Sequence, residues 1–210
     1  MGGVILSINA GSSSLKVAVF DESNIDAPTT SASIEGIGTD ASCFIPNGEY
    51  GSNETRTVPI PTIDAAIQLV SQWLSELNIS PNAIGHRVVH GGERFSNAAL
   101  LDDDVVTYLA TLTPLAPNHM PGTLAAITAF RSAYPDTPQV ACFDTAFFAQ
   151  VPTIAKTLPI PKELGLKRYG FHGLSYASLL KSFAEHEGET AAHGRVIMAH
   201  LGSGASVCAV

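Results

Sequence analysis

Basic charge and cysteine are both scarce in this 210-residue sequence. Lys and Arg number 11 against 19 Asp and Glu, a formal net charge of −8, so there is no general electrostatic reason to approach nucleic acid or an anionic membrane. Any anionic ligand has to be held by local donors. The 3 cysteines, Cys43, Cys142 and Cys208, are odd in number, far apart and set among apolar neighbours. That suits small buried thiols in a reducing compartment better than a disulfide framework or a metal site. Long hydrophobic runs are missing too: nothing approaches the roughly 18 apolar residues of a membrane span, and no basic segment precedes the short apolar run at the N-terminus. Met1-Gly2-Gly3 opens like a myristoylation signal, but Leu6 stands where Ser or Thr is required. The expectation is a cytoplasmic protein with neither nucleic acid nor membrane among its partners. Hydrophobic residues, by contrast, make up 45% of the chain, enough for the core of one large domain, or of one domain plus the start of a second.

Two β-branched apolar runs, VILSI (4–8) and LKVAVF (15–20), flank NAGSSS, so the chain opens as two strands around a tight polar loop. No helix pattern follows that loop and it carries no GKS or GKT, which separates it from a P-loop. Alternation over 29–59 predicts further antiparallel strands and a hairpin. Apolar residues at three- and four-residue spacing, Ile63, Ile67, Val70, Leu74 and Leu77, predict a helix capped by Thr62. A buried strand (83–89), helices near 102–112 and 122–133, a strand (139–143) and a helix from Ser175 to Gly188 follow. The sum is an α/β domain with a mixed sheet. VIMAHLGSGASVCAV (196–210) repeats the style of VILSINAGSSSLKVAV (4–19), Gly202-Ser203 corresponding to Gly11-Ser12, as if a second copy of the opening hairpin had begun.

Chemistry concentrates in the segments between these elements. NAGSSSLK (9–16) offers Asn9, three hydroxyls, backbone N–H groups and Lys16, a set able to wrap phosphate oxygens or simply to close a hairpin. GSGAS (202–206) is a second loop of the same kind. HRVVHGG (86–92) places Arg87 in an apolar strand, where its guanidinium needs a partner: a carboxylate ligand gripped through two parallel hydrogen bonds, or a structural ion pair. FDTAFF (143–148) ends a strand in Asp144, placed to hold Mg²⁺ or orient a nucleophile, or to cap the next turn. RYGFHG (168–173) sets His172 in a loop, as a donor to a transferring phosphoryl group or as an ordinary loop histidine.

Taken in order, NAGSSSLK, HRVVHGG, LAPNH, FDTAFF, RYGFHG and AHLGSGAS closely resemble the successive signature segments of the acetate kinase (acetate/propionate kinase) family, along essentially the whole chain. The resemblance implies the duplicated actin-like, ribonuclease-H-like α/β fold shared with sugar kinases, chaperone ATPases and actin. On that reading residues 1–193 are the first lobe, the carboxylate and phosphate side of the cleft, and 194–210 the first hairpin of the second lobe. It implies reversible, direct in-line transfer of the ATP γ-phosphoryl group to acetate or propionate, giving acyl phosphate and ADP, with Mg²⁺ or Mn²⁺, in a homodimer. Position by position, it implies that Asn9, Ser12, Ser14 and Lys16 form the first phosphate segment, and His200, Gly202, Ser203 and Gly204 the second. Arg87 would bind the substrate carboxylate, and Val89 and Phe171 would line the pocket for the acyl methyl. His119 and His172 would lie near the transferring phosphoryl group, and Asp144, with Asn9, would be the residue associated with the metal.

Several positions depart from the family's usual pattern. Asn118 replaces an apolar pocket residue, Met120 the Asn after the histidine, HGLSY (172–176) the usual HGTSH, and Ser203 the usual Asn of the second loop. An altered acyl site follows, open to propionate or a more polar short carboxylate. The family's other half supplies most of the adenosine pocket, a second carboxylate-binding Arg and an acidic Mg²⁺ ligand, and no motif here replaces them. The isolated chain is therefore expected to be inactive. The alternative is a non-catalytic lobe that folds or dimerises and binds small anions. A sugar kinase or chaperone ATPase is disfavoured because HRVVHGG and FDTAFF are not their motifs, and fold alone does not decide function.

Overall fold

The opening pair of apolar runs forms a hairpin: β1 (Val4–Ala10) lies antiparallel to β2 (Ser14–Asp21), with Ile8 opposite Val17 and Asn9 opposite Lys16. The computed structural model describes residues 2–48, 53–202 and 204–210. Next come β3 (Thr30–Glu35), β4 (Cys43–Gly48) and the short β5 (Arg56–Thr57), each antiparallel to the strand before it. The hairpin expected within 29–59 is thus present, though its residues 49–52 lie outside those described.

α1 (Ile63–Glu76) is capped as the sequence predicts, the Thr62 side chain accepting from the N–H of Ala65, an arrangement worth about 1 kcal/mol. It ends where Asn78 takes a left-handed conformation, φ +56°. β6 (Ala83–Val88) follows and runs parallel to β1, and β7 (Ala99–Leu100) is a two-residue strand. α2 (Asp103–Thr111) is capped by Asp102, which accepts from Val105 N–H at 2.7 Å. α3 (Met120–Ala133) starts two residues before its expected beginning at 122, because Pro121, having no N–H to lose, suits a first turn. β8 (Gln139–Phe143) completes one eight-stranded mixed sheet of order β5-β4-β3-β2-β1-β6-β8-β7.

One face of that sheet carries the core. Leu6, Ile8, Leu15, Val17, Ile34, Phe44 and Ile84 point to it from the strands, and Ile67, Val70, Trp73 and Leu74 of α1 meet them together with Phe130 of α3. Each such aliphatic or aromatic side chain contributes about 1.5–3 kcal/mol by leaving water.

The chain divides into two compact units, the first Met1–Val88 with Ala99–Cys142, the second Val89–Ala98 with Phe143–Val210. The second holds a 3₁₀ turn (Asp144–Phe148), α4 (Thr153–Lys156), a further 3₁₀ turn (Lys162–Leu164), α5 (Gly173–Glu187), α6 (Glu189–Ala192), β9 (Ile197–His200) and β10 (Ser206–Ala209). β9 and β10 pair antiparallel in a sheet of their own, so the expected second hairpin is there, with Ser206 opposite His200. α5 begins at Gly173 rather than Ser175 and stops at Gly188, φ +89°. Among the described residues, no helix is long and apolar enough to cross a membrane.

Candidate functional site

In the first unit strand register does the assembling. The parallel pairing of β1 with β6 sets Ile8 beside His86, and in the next position Asn9 Oδ1 accepts from Arg87 Nη1 at 3.3 Å, although the two residues are 78 apart in sequence. Lys16 faces Asn9 from the other side. Leu6, Ile8 and Ala10 point into the core, so Asn9, Lys16 and Arg87 share the opposite face of the sheet. Lys16 is exposed and Arg87 half-buried. Two cationic groups and a carboxamide thus form a patch able to receive an anion.

The loop after β1 is closed by Gly11 N–H donating to the Ser14 carbonyl at 2.8 Å, and anchored by Ile37 N–H donating to the Ser13 carbonyl at 2.9 Å. Ser14 is half-buried and Ser12 exposed. α3 begins against this loop: a Cβ on Gly122 would come within 2.7 Å of the Gly11 carbonyl oxygen, so a larger residue there would push helix and loop apart. His119, the N-cap position of α3, makes no side-chain cap bond, and both it and Asn118 are exposed.

Beneath the patch, His86 on β6 is 2% exposed, its Nε2 within 2.8 Å of Gln139 Oε1 and its ring edge-on to Phe130. Burial pushes its pKa down to about 4, against a smaller opposing effect of the Gln139 hydrogen bond. It is a neutral core histidine.

The second unit assembles its polar groups by side-chain contact instead. Asp144 follows β8, is 1% exposed, and through Oδ1 accepts from the Leu174 N–H at 3.4 Å, a carboxylate at the positive end of α5. A Cβ on Gly173 would lie 1.9 Å from the Asp144 carbonyl oxygen. Only glycine lets the helix start so close to that strand end. The residue before it, His172, sits at φ +60°, ψ 24°, a left-handed conformation that costs a non-glycine residue free energy and is found disproportionately at functional sites. Its ring stacks on His200, centroids 4.0 Å apart and planes within 7°. Nδ1 of His172 is 2.9 Å from Ser206 Oγ, which is 2.6 Å from the hydroxyl of buried Tyr176. Gly204 passes over the His172 ring, a Cβ there being 3.8 Å from Nε2. His200 Nδ1 is 3.4 Å from Ser175 Oγ. Gly202 is exposed and Ser203 lies outside the described residues.

His90 and Thr145 join the second unit's HGG and FDT segments. Gly91 N–H donates to Thr145 Oγ1 at 3.0 Å, and Gly92 N–H to His90 Nδ1 at 2.8 Å. The His90 proton therefore sits on Nε2, which is buried without a hydrogen-bond partner among the described residues; the ring meets Tyr169 at 4.3 Å and Phe171 at 6.1 Å, both edge-on. Burial lowers the pKa of His90. Val89 is buried, and Phe171 is 37% exposed and lines a cavity of about 870 Å³ together with Thr145, Tyr176 and Ser206.

The chain matches the model of the acetokinase family over residues 4–210. It belongs to that family. Family relatives include the acetate kinase of Nitrobacter hamburgensis, 41% identical over 98% of this chain and 53% of that protein. Among solved structures, a propionate kinase from Francisella tularensis is 31% identical, with a TM-score of 0.91 over 99% of this chain and 54% of that one. The acetate kinase of Porphyromonas gingivalis gives 30% and 0.87, over 100% and 55%. The fold is accordingly the actin-like α/β lobe with a mixed sheet. The chain spans about half the length of the acetokinases it matches. The family is one of ATP-using kinases.

Of the residues singled out from sequence, the first unit joins Asn9, Lys16 and Arg87, and the second joins His172, His200 and Gly204, with Asp144 at the same helix start. Asn9 and Asp144, paired by the family resemblance as metal residues, belong to different units. Among the described residues no group of three or more His, Cys, Asp or Glu could hold a metal ion. Sequence reading passed over Ser206, although it ends the GSGAS loop, and took Tyr176 only as a departure from the family pattern.

Proposed function

We propose that the protein carrying this chain transfers the γ-phosphoryl group of ATP to acetate or propionate, reversibly and by direct in-line displacement, giving acyl phosphate and ADP. The observation that supports it most is the convergence in the second unit of FDT, GFHG and AHLGSGAS, far apart in sequence, on one cluster of Asp144, His172, His200 and Ser206. In-line phosphoryl transfer asks the protein to align two anions that repel each other and to offset charge on three equatorial oxygens, with no covalent nucleophile. Neutral donors and a few cations suffice.

In this reading Arg87, oriented by Asn9, grips the substrate carboxylate, and Val89 and Phe171 face its acyl group, with Asn118 altering the preference among short acids. Ser12, Ser14 and Lys16 hold phosphate oxygens, as do His200, Gly202, Ser203 and Gly204 of the second loop. His119 and His172 donate to the phosphoryl group in transit. Mg²⁺ or Mn²⁺, when bound, would offset the charge of the phosphate groups. Asp144, a buried carboxylate, and Asn9 are the residues proposed to hold it. A first lobe over 1–193 with 194–210 opening a second, a homodimer and a cytoplasmic location belong to the same proposal.

The test is a chimera of residues 1–210 with the remaining half of a relative such as the Bacillus subtilis acetate kinase, 37% identical over this span. Hydroxamate formation from acetate, ATP and hydroxylamine is expected. Arg87→Ala should lower kcat/KM for acetate by about 10- to 150-fold, the equivalent of roughly 1.5–3 kcal/mol for a charge-assisted hydrogen bond, with the KM for ATP nearly unchanged. An Arg87→Ala chimera with unaltered acetate kinetics removes Arg87 from the site.

A further inference from the structure

His90 is 1% exposed, and its Nδ1 accepts from the Gly92 N–H, two residues on, at 2.8 Å. A backbone N–H can only donate, so the neutral ring carries its proton on Nε2. That second N–H is buried without a hydrogen-bond partner among the described residues, and a buried donor left so calls for an explanation. The loop is not free to turn and find an acceptor. Gly91 N–H donates to Thr145 Oγ1 at 3.0 Å, and a Cβ on Gly91 would lie 2.9 Å from the Phe143 ring. Beside the imidazole stand the rings of Tyr169 and Phe171. Edge-on aromatic pairs ordinarily keep their centroids about 4.5–7 Å apart. His90 and Phe171, at 6.1 Å, fall inside that range, whereas His90 and Tyr169, at 4.3 Å with planes 67° apart, fall below it. A C–H edge pushed so close, from either ring, meets repulsion. An N–H edge is instead drawn to the negative face of the ring.

We propose that His90 is a positioning residue for the YGF segment (169–171): its Nε2–H donates to the ring face of Tyr169, and its ring packs against Phe171. Gly170, between the two, is pressed onto the same aromatic cluster, a Cβ there being 2.3 Å from the Phe148 ring. Because the HGG loop is itself tied to Thr145, the contact from His90 to Tyr169 braces this stretch and keeps Phe171 turned to the cavity that it lines. The inference deepens the proposed function, in which Phe171 faces the acyl group, and rests on it for that role alone. The N–H contact is a property of the chain.

The ¹H–¹⁵N correlation spectrum of the imidazoles in uniformly labelled 1–210, at about pH 8.5, well above the ordinary histidine range, reads this contact directly. His90→Asn assigns the signal and spares the turn, because an Asn carboxamide oxygen also accepts from the N–H two residues on. The His90 Nε2–H should exchange slowly and resonate upfield, shifted by the ring current of Tyr169. Tyr169→Phe, which keeps a ring face, should retain that shift, and Tyr169→Leu should abolish it. A wild-type Nε2–H at the ordinary imidazole position, one that exchanges with water as fast as an exposed histidine, or one unmoved by Tyr169→Leu overturns the proposal. The wild-type spectrum decides by itself if Tyr169→Leu does not fold. In the chimera, His90→Asn should raise the KM for acetate by about 2- to 12-fold, the worth of one aromatic pair, and leave the KM for ATP unchanged. An upfield, protected Nε2–H combined with unaltered acetate kinetics supports the brace and counts against the acyl role of Phe171.

Discussion

The two compact units place their polar residues by different physical means. In the first, Asn9, Lys16 and Arg87 ride on three adjacent strands whose inward neighbours are the core itself, so the same register that buries Leu6, Ile8 and Ile84 delivers the cationic patch. Slipping β1 by one residue would turn Asn9 toward the core and Leu6 and Ile8 away from it, and so break up the patch. In the second, Asp144, His172, Ser206 and Tyr176 come from a strand end, a helix start and a hairpin, and discrete hydrogen bonds hold them. Geometry in the first unit is as robust as its core, whereas in the second it depends on individual side chains.

The largest expected effect probes that contrast at the core. Trp73, the only tryptophan in the chain, is buried in α1 edge-on to Phe44 at 5.9 Å, so its fluorescence reports the first unit alone. Leu74→Ala, at a position 1% exposed, should cost about 2–5 kcal/mol and lower the urea midpoint read by Trp73. A midpoint unmoved by this change would mean that the α1 packing does not support the sheet that carries Asn9 and Arg87.

Next in size is a pH effect. The folded-state pKa of His86 is lowered from 6.5 to about 4, so the unfolded chain binds its proton first. Stability from this residue is complete above pH 6.5, falls as pH drops through the interval, and levels off below about 4. The loss is on the order of 3 kcal/mol. His90, whose pKa burial also lowers, acts in the same direction on the second unit. Urea midpoints followed by Trp73 fluorescence should decline from pH 6.5 to 4.5, and His86→Gln should show a shallower decline. Equal slopes in the two proteins would mean that His86 is not held neutral by burial.

How far these arrangements could be read from sequence differs in the same way. Period-two alternation and β-branched runs gave away β1 to β4, and Ile63, Ile67, Val70 and Leu74 with the Thr62 cap gave away α1, because those patterns are local. The second hairpin was legible as a repeat of the first. β7, α4, α6 and the 3₁₀ turns span two to five residues, too short for any period to show. Arg87 was recognisable as a strand guanidinium in need of a partner, but not that Asn9 is one of its partners, because that depends on parallel register across 78 residues. Gly122, at the expected start of a helix, and Gly173, in a loop ahead of one, carry no sign in the sequence of the Gly11 and Asp144 carbonyls that lie against them.

The smallest effect concerns acyl selectivity. Asn118 is exposed ahead of α3, and a polar group beside a methyl loses solvation unless the substrate bonds to it. In the chimera, Asn118→Leu should shift the ratio of kcat/KM among acetate, propionate and glycolate by about 1–2 kcal/mol, roughly 5- to 30-fold. Unchanged ratios would take Asn118 away from the acyl group and leave selectivity to Val89 and Phe171 of the second unit.

Purified 1–210 assayed for hydroxamate formation, alongside calorimetry with ATP and Mg²⁺, tests most directly whether this chain holds the acceptor and phosphoryl groups without a nucleotide site of its own. Fixing ATP relative to the acceptor is worth about 7–11 kcal/mol, and nothing in either unit matches an adenosine pocket by motif. A folded chain that binds phosphate-like anions weakly and makes no acyl phosphate at a useful rate is the expected result. Robust turnover, or micromolar affinity for ATP, would contradict it.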